Sequence, residues 1–180
     1  MERDQTLSEL DAAWAEALLE AEKRARAAGR GDVVDYLALR AANDLARSAG
    51  INWLLETFTA LAGEANRAGA SINLSTQDAH RFRTGNSTMV GRSLTLRAGV
   101  RALTVEAGWP RTPRDGIVRG GGLACANISH FGDRKASEEL LLVKAPQGAP
   151  QWVALGTSGT RTQFVEERAR RHIMRLLNRV

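Results

Sequence analysis

Residues 87–107 read STMVGRSLTLRAGVRALTVEA, and apolar side chains recur at every second position along two runs of this stretch. Leu94 and Leu96 share one parity in the first run, and Leu103 and Val105 share one parity in the second. Alternation with a period of two is typical of antiparallel strands that bury one face. Ala98-Gly99 between the runs predicts a tight turn. The stretch therefore predicts two neighbouring strands of an antiparallel meander.

The same alternation continues on both sides of this stretch. It predicts earlier strands around Ile72 and around His80 to Phe82, and later strands over residues 123–129, 139–145 and 151–155. No helical pattern separates these runs, so a doubly wound parallel sheet is not expected. We predict an antiparallel meander of about six or seven strands.

Residues 1–69 have a helical period instead. The apolar stripe of the first helix consists of Leu7, Leu10, Trp14, Ala17, Leu18 and Ala21. Gly29 and Gly31 predict the end of this helix and a short turn before a second one. Gly50 predicts a break in the second helix, with Asn52 capping a third.

At the other end of the chain, Thr160 and Gln163 fit a capping box and predict that a final helix begins there. The sequence thus predicts an α+β protein with N-terminal helices, an antiparallel β-meander and an amphipathic C-terminal helix packed on the sheet. We assign residues 1–69 to the helical region and residues 70–180 to the sheet and last helix. A chain of 180 residues is expected to form one structural domain.

The charge is distributed unevenly along the chain. Residues 1–69 hold 8 Lys and Arg against 12 Asp and Glu, whereas residues 70–180 hold 17 against 8. The basic part is rich in arginine, which suits planar anions such as phosphate. A GC-rich genome, which favours arginine codons, would produce the same excess. A single cysteine, Cys125, excludes an internal disulfide, and no apolar signal or membrane-spanning stretch is found. We expect a cytoplasmic protein that does not bind membranes.

The segment from Gly108 to Gly122 is unusually long for a connection in a compact domain, which is typical of functional loops. A tryptophan beside arginines can stack on a base while the guanidinium groups hold phosphate. Glycines allow the backbone to approach a ligand. The candidate binding residues in this segment are Trp109, Arg111, Arg114, Arg119, Gly120 and Gly121. The alternative is a connection that folds over the sheet edge, with Trp109 filling part of the core.

Arginines on the preceding strands extend this candidate surface. Arg81 and Arg83 have the same parity and should project from one face, and Arg92, Arg97 and Arg101 could add to it. His130, near Asp133, completes the set of candidate binding residues. The alternative is a solvated sheet face whose charges prevent edge-to-edge pairing.

The sequence offers little support for catalysis. No spacing of His80, His130 and His172 resembles a metal signature, and we predict no metal or cofactor. Cys125 and His130 have opposite strand parities and should not form a nucleophile–base pair. These observations favour a binding protein over an enzyme, without excluding catalysis.

Three functions remain open at this point. The first is a non-catalytic binding protein whose basic sheet and loop surface contacts an anionic partner, either nucleic acid or a phosphorylated ligand. The second is a small-molecule binder with an apolar pocket between the sheet and the C-terminal helix. The third is an interaction module that acts through the N-terminal helices, including a homodimer through the first helix. The alternative for the first helix, residues 6–28, is an antiparallel hairpin with residues 32–48 of the same chain.

Overall fold

The computed structural model describes residues 2–145, 149–156 and 158–178, with side chains from residue 12 onward. The three helices are α1 (Glu2–Ala27), α2 (Gly31–Arg67) and α3 (Glu166–Leu176). The seven strands are β1 (Asn73–Thr84), β2 (Ser87–Ala98), β3 (Arg101–Trp109), β4 (Ala124–His130), β5 (Asp133–Val143), β6 (Gln151–Leu155) and β7 (Arg161–Gln163). The strands form one antiparallel sheet in sequential order, which confirms the predicted α+β meander.

The chain divides into two compact units, residues 1–46 and residues 47–180. The division falls within α2. In the first unit, a turn at residues 28–30 joins α1 to the start of α2, and the Arg40 guanidinium lies 4.8 Å from the centre of the Trp14 ring. This contact shows that the two helices form an antiparallel hairpin.

The helices of the second unit cover one face of its sheet. The register pairs Leu94 with Val105 and Leu96 with Leu103, and all four side chains are completely buried. From the second half of α2, Phe58 lies 6.4 Å from Phe164, measured between ring centres, and both rings are buried. The strands that alternate in sequence therefore build the main core, as expected for a half-covered antiparallel sheet.

The predicted helix break at Gly50 is wrong, because α2 is continuous from Gly31 to Arg67. Gly50 is buried, and a Cβ placed there would lie 2.7 Å from the Leu142 side chain. Its carbonyl accepts a hydrogen bond of 2.8 Å from Trp152 Nε1. The glycine is therefore needed for close packing of the helix on the sheet and not for a turn.

The predicted capping box at the last helix is also wrong. Residues Arg161–Gln163 form strand β7, and α3 begins at Glu166 after Val165. The amide of Gly156 donates to the carbonyl of Thr160, so this segment turns between two strands. Strand pairing outweighs the local capping signal here, because β7 satisfies its backbone groups along β6.

Within the described residues, no helix is long and apolar enough to cross a membrane.

Candidate functional site

The connection between β3 and β4 is fixed along the β1–β2 hairpin. It contains two single turns of 3-10 helix, Pro113–Asp115 and Arg119–Gly121. Ser87 Oγ donates a hydrogen bond of 2.9 Å to the carbonyl of Ile117 and accepts one of 3.3 Å from its amide. Ser87 begins β2, so these bonds attach the middle of the connection to the turn end of the hairpin.

Apolar side chains of the sheet also hold the connection in this position. A small core cluster lies on the sheet face opposite the helices and consists of Phe82, Met89, Cys125, Leu141 and Val153. Val118 from the connection packs against this cluster. The connection thus covers one end of the face that the helices leave open.

This attachment brings loop arginines to strand arginines. Arg81 donates a hydrogen bond of 2.9 Å to Asp115, the acidic residue of the connection. The Arg119 guanidinium lies over the hairpin turn, 3.6 Å from where a Cβ on Gly85 would be. We call the following five exposed arginines the basic rim: Arg81 and Arg83 on β1, Arg114 and Arg119 on the connection, and Arg161 on β7, which reaches the connection at Gly120.

Asp115 connects Arg81 to the β3–β4 connection by hydrogen bonds, and it offsets only one of the five positive charges of the rim. Its carboxylate accepts hydrogen bonds from the hydroxyl and amide of Thr112, at 2.9 and 3.0 Å, and the third bond comes from Arg81. The hydroxyl bond from Thr112, together with Arg81, lowers the pKa of Asp115 below its ordinary value. The carboxylate is therefore charged at neutral pH, and Arg81 is the rim arginine that contacts it.

Trp109 does not present an open ring. Only 9% of the residue is exposed, and the Arg111 guanidinium lies 3.7 Å from the ring centre. Arg47 approaches the same ring at 5.7 Å. The tryptophan thus fills part of the core under guanidinium groups, and a base could stack on it only if Arg111 moved aside.

The three consecutive glycines of the connection differ in their surroundings. A Cβ on Gly122 would collide with the Leu141 side chain, and one on Gly120 would lie 2.9 Å from the Arg161 guanidinium. Arg161 donates a hydrogen bond of 3.0 Å to the Gly120 carbonyl. Gly121 has nothing near it and is exposed. Packing against Leu141 explains Gly122, and positive φ angles of 75° and 73° explain Gly120 and Gly121. Gly121 alone has space around it for a ligand.

Other strand arginines lie apart from the rim. Arg92 Nε donates a hydrogen bond of 2.7 Å to Asp78. Arg97 and Arg101 flank the β2–β3 turn, at the opposite end of β2 from Ser87. The structure therefore separates the five strand arginines into the rim pair, one ion-paired arginine and a distant pair.

His130 lies outside the rim as well. It ends β4, six residues from the connection, and its Nε2 lies 3.0 Å from Nδ1 of His172 on α3. Burial, followed by the neighbouring His172, lowers the pKa of His130 to about 4. Burial opposes the ionisation of Glu138 beside this pair, but bonds from His172 and Arg168 outweigh it and lower the pKa of that carboxyl. His130 therefore belongs to the helix–sheet contact.

Sequence reasoning missed Arg161 and the role of Asp115. Arg161 was assigned to the start of a helix, although it lies in a strand and reaches Gly120. The only signal for Asp115 was its position as the sole acid between Glu106 and Asp133 in an arginine-rich segment.

Two other side-chain groups have the chemistry of active sites. His80 Nε2 lies 2.6 Å from Glu106 Oε1 on the sheet face that the helices do not cover. Burial, and then Glu139, raises the pKa of the Cys125 thiol to about 11, so it is a poor nucleophile. In the described part of the chain, no group of three or more His, Cys, Asp and Glu residues is placed to hold a metal ion.

The comparisons assign no family to this chain. No family model matches it, and no curated protein or solved structure matches it.

Proposed function

We propose that the protein binds nucleic acid through the basic rim. The observation that carries this proposal is the attachment of the β3–β4 connection to the β1–β2 hairpin, which brings the segment that contains Arg114 and Arg119 to the hairpin that contains Arg81 and Arg83. Arginines at a surface bind phosphate by charge and by paired hydrogen bonds.

The electrostatic balance of the rim favours an anion. Its five arginines are exposed, and the connection contributes one carboxylate. Within the described residues, Arg83 and Arg114 have no ion pair, so their guanidinium groups are available to a partner. A surface of this composition attracts phosphates over distances of about 10 Å at moderate salt.

The exposure of the rim arginines favours an extended anion over a small phosphorylated ligand. Two surface clefts have volumes of about 250 and 240 Å³, and neither is lined by a rim residue. Small ligands are usually bound in clefts of about 300–1,000 Å³ that cover most of their surface. An open edge of arginines instead suits a backbone that passes across it.

Fluorescence anisotropy with labelled single-stranded and double-stranded oligonucleotides tests the proposal. Affinity should fall linearly with the logarithm of salt concentration, with a slope of about −0.7 to −0.9 for each phosphate contact. Arg83→Ala with Arg114→Ala should weaken binding and reduce the slope by about 1.4 to 1.8. No binding at low salt would overturn the proposal.

The chain supplies a matched control. Arg97→Ala with Arg101→Ala removes the same charge from the opposite end of β2 and should change the affinity much less. Equal losses for the two double variants would show that net charge, and not the rim, is responsible. Competition by a nucleoside triphosphate as strong as by a long oligonucleotide would indicate a phosphorylated small ligand instead.

Two further proposals concern the location of the protein in the cell and its association with a second copy. A cytoplasmic location, which the sequence favours, would give the rim access to nucleic acid. The homodimer proposed through α1 uses a different part of the chain and does not depend on the rim.

A further inference from the structure

Two hairpin loops lie side by side at the end of the sheet opposite the β1–β2 turn. Each has two residues: the β2–β3 loop is Gly99-Val100, and the β4–β5 loop is Phe131-Gly132. The Phe131 amide donates a hydrogen bond of 2.8 Å to the carbonyl of Ala102, which holds the second loop against the start of β3. We call these two loops the tip loops.

Each tip loop combines one glycine with one large apolar residue. Gly99 and Gly132 have φ angles of 60° and 79°, which supply the left-handed conformation that a two-residue loop requires. Val100 and Phe131 are 93% and 81% exposed, the two highest values for large apolar side chains in the described part of the chain. Neither side chain therefore stabilises the fold by burial.

Another two-residue loop of the same sheet shows that the hairpin geometry does not require an apolar side chain. The β1–β2 loop is Gly85-Asn86, with Gly85 at a φ of 59° and an exposed asparagine in the position that corresponds to Val100. Polar residues of this kind are usual in turns. Single exposed apolar residues are common on protein surfaces, but two on adjacent loops indicate a surface that meets an apolar environment.

The strand ends around the tip loops are basic. Residues 95–105 and 129–137 contain one acid, Asp133. Asp133 accepts hydrogen bonds of 2.6 and 3.1 Å from Arg175 on α3, so its charge is already compensated. The same two segments contain four exposed cations, none of which has an ion pair within the described residues: Arg97, Arg101, Arg134 and Lys135.

We propose that the tip loops contact the surface of a membrane that contains anionic lipids. Val100 and Phe131 enter the region between the headgroups and the acyl chains, and the four cations lie at the level of the lipid phosphates. A nucleic acid fits this arrangement less well, because Val100 has no ring that could stack on a base. The expectation of no membrane contact rested on the lack of a spanning stretch, which a contact through two loops does not need. This inference is independent of the basic rim.

Cosedimentation of the full chain with vesicles tests the proposal. The wild type should bind vesicles of equal parts phosphatidylserine and phosphatidylcholine, and it should bind pure phosphatidylcholine much less. Val100→Ser with Phe131→Ser leaves the charge unchanged and should lower the partition coefficient by about tenfold. Ile117→Ser, at an exposed apolar residue of the β3–β4 connection, is the matched control and should have no effect. A wild type that does not bind the mixed vesicles at low salt would overturn the proposal.

Two pairs of arginines separate the tip loops from the rim. Arg97→Ala with Arg101→Ala should lower vesicle binding by about 25-fold, because each cation near an anionic surface contributes about fivefold. Arg83→Ala with Arg114→Ala removes the same charge from the rim and should lower vesicle binding much less. The order expected for oligonucleotide binding is the reverse, so either proposal can fail without the other. Equal losses of vesicle binding would show that net charge alone is responsible and would overturn the lipid proposal.

A polarity-sensitive dye on Val100→Cys, in a Cys125→Ala background, reports whether the tip loops enter the lipid. Its emission should shift to the blue with the mixed vesicles and should be quenched by spin-labelled acyl chains. The same dye on Asn86→Cys, in the loop at the other end of β2, should not respond. A response at Asn86 but not at Val100 would contradict the proposal. An oligonucleotide that shifts the Val100 dye as strongly as the vesicles do, and binds more weakly to Phe131→Ser, would assign the tip loops to nucleic acid instead.

Discussion

Residues 12–46 and residues 47–180 bury apolar side chains to very different extents. The first region has one buried apolar side chain, whereas the second holds all the others among the described residues. Both regions contain amphipathic helices, so composition alone does not explain the difference. A pair of helices meets along one seam and covers each side chain by half. A sheet with helices on one face and a covering loop on the other encloses side chains on both.

The difference has a consequence for stability. The second region should unfold as a cooperative unit, whereas the hairpin should open locally at a lower cost in free energy. Association of two hairpins would reduce this gap, because it would stabilise the first region through the partner. Mutations in the two regions therefore measure the difference between their stabilities.

The largest effect is expected at Phe58, which is completely buried on α2 between the sheet and α3. Phe58→Ala should reduce the free energy of unfolding by about 3–5 kcal/mol, through lost burial and the cavity left behind. Leu45→Ala, in the hairpin and 73% exposed in the wild type, should change it by at most about 0.5 kcal/mol. Urea denaturation followed by circular dichroism measures both. Similar losses for the two variants would contradict the inequality of the regions.

The second largest effect is expected for Gly50→Ala. Helix propensity alone predicts that this change stabilises the protein, but we expect it to destabilise the protein. Gly→Ala inside an exposed helix normally adds about 1 kcal/mol of stability. At Gly50 the new methyl would press on Leu142, which is completely buried, so Gly50→Ala should cost about 1–3 kcal/mol. Gly63→Ala, further along the same helix with only the end of Arg67 nearby, is the control and should stabilise. A stabilising Gly50→Ala would show that the contact with Leu142 yields easily.

Gly50 also illustrates what sequence patterns can and cannot predict. The alternation of Leu94, Leu96, Leu103 and Val105 predicted the sheet, because side-chain parity is a local property of a strand. Whether a glycine breaks a helix or admits a neighbouring strand depends on residues far away in sequence, here Leu142. No local pattern carries that information.

The candidate site likewise has features that the sequence predicts and features that it does not. Its individual arginines could be found by residue type, and the alternative role of Trp109 as a core residue was anticipated. Which arginines meet depended on the bond between Ser87 and Ile117 and on the assignment of Arg161 to a strand. Both follow from tertiary pairing, so the sequence predicted the set of charges but not the rim.

The third effect depends on pH and is confined to the second region. His130 takes up a proton near pH 6.5 when unfolded but only near pH 4 when folded, because burial and His172 disfavour its charge. The contribution of His130 to stability should therefore be constant above pH 6.5. Stability should fall as the pH drops from about 6.5 to 4. The loss should be on the order of 1–2 kcal/mol, since the ring is partly exposed to solvent.

His130→Gln separates this effect from the neighbouring carboxylates. The difference between wild type and variant should change over the histidine range. Asp133 and Glu138, whose pKa values are lowered, should lose stability only as the pH falls below their ordinary range near 4. A wild-type curve that runs parallel to the variant from pH 7 to 4 would contradict a neutral, buried His130. Opening of the hairpin should not follow this profile, because it contains no histidine.

The smallest effect is a gain, and it tests how completely the second region satisfies its polar groups. Thr84 Oγ1 is buried at the end of β1 and has no hydrogen-bond partner among the described residues. An unpaired buried hydroxyl reduces stability, and valine has nearly the same shape and suits a strand. Thr84→Val should therefore increase the free energy of unfolding by about 0.5–1 kcal/mol. Thr84→Ser is the matched variant, because it keeps the hydroxyl and loses the methyl group, and it should reduce stability. If Thr84→Val is the less stable of the two variants, the Thr84 hydroxyl forms a hydrogen bond in solution. The side chains around the β1–β2 turn, which supports the rim, are then packed less tightly than the contacts of Val118 and Phe82 indicate.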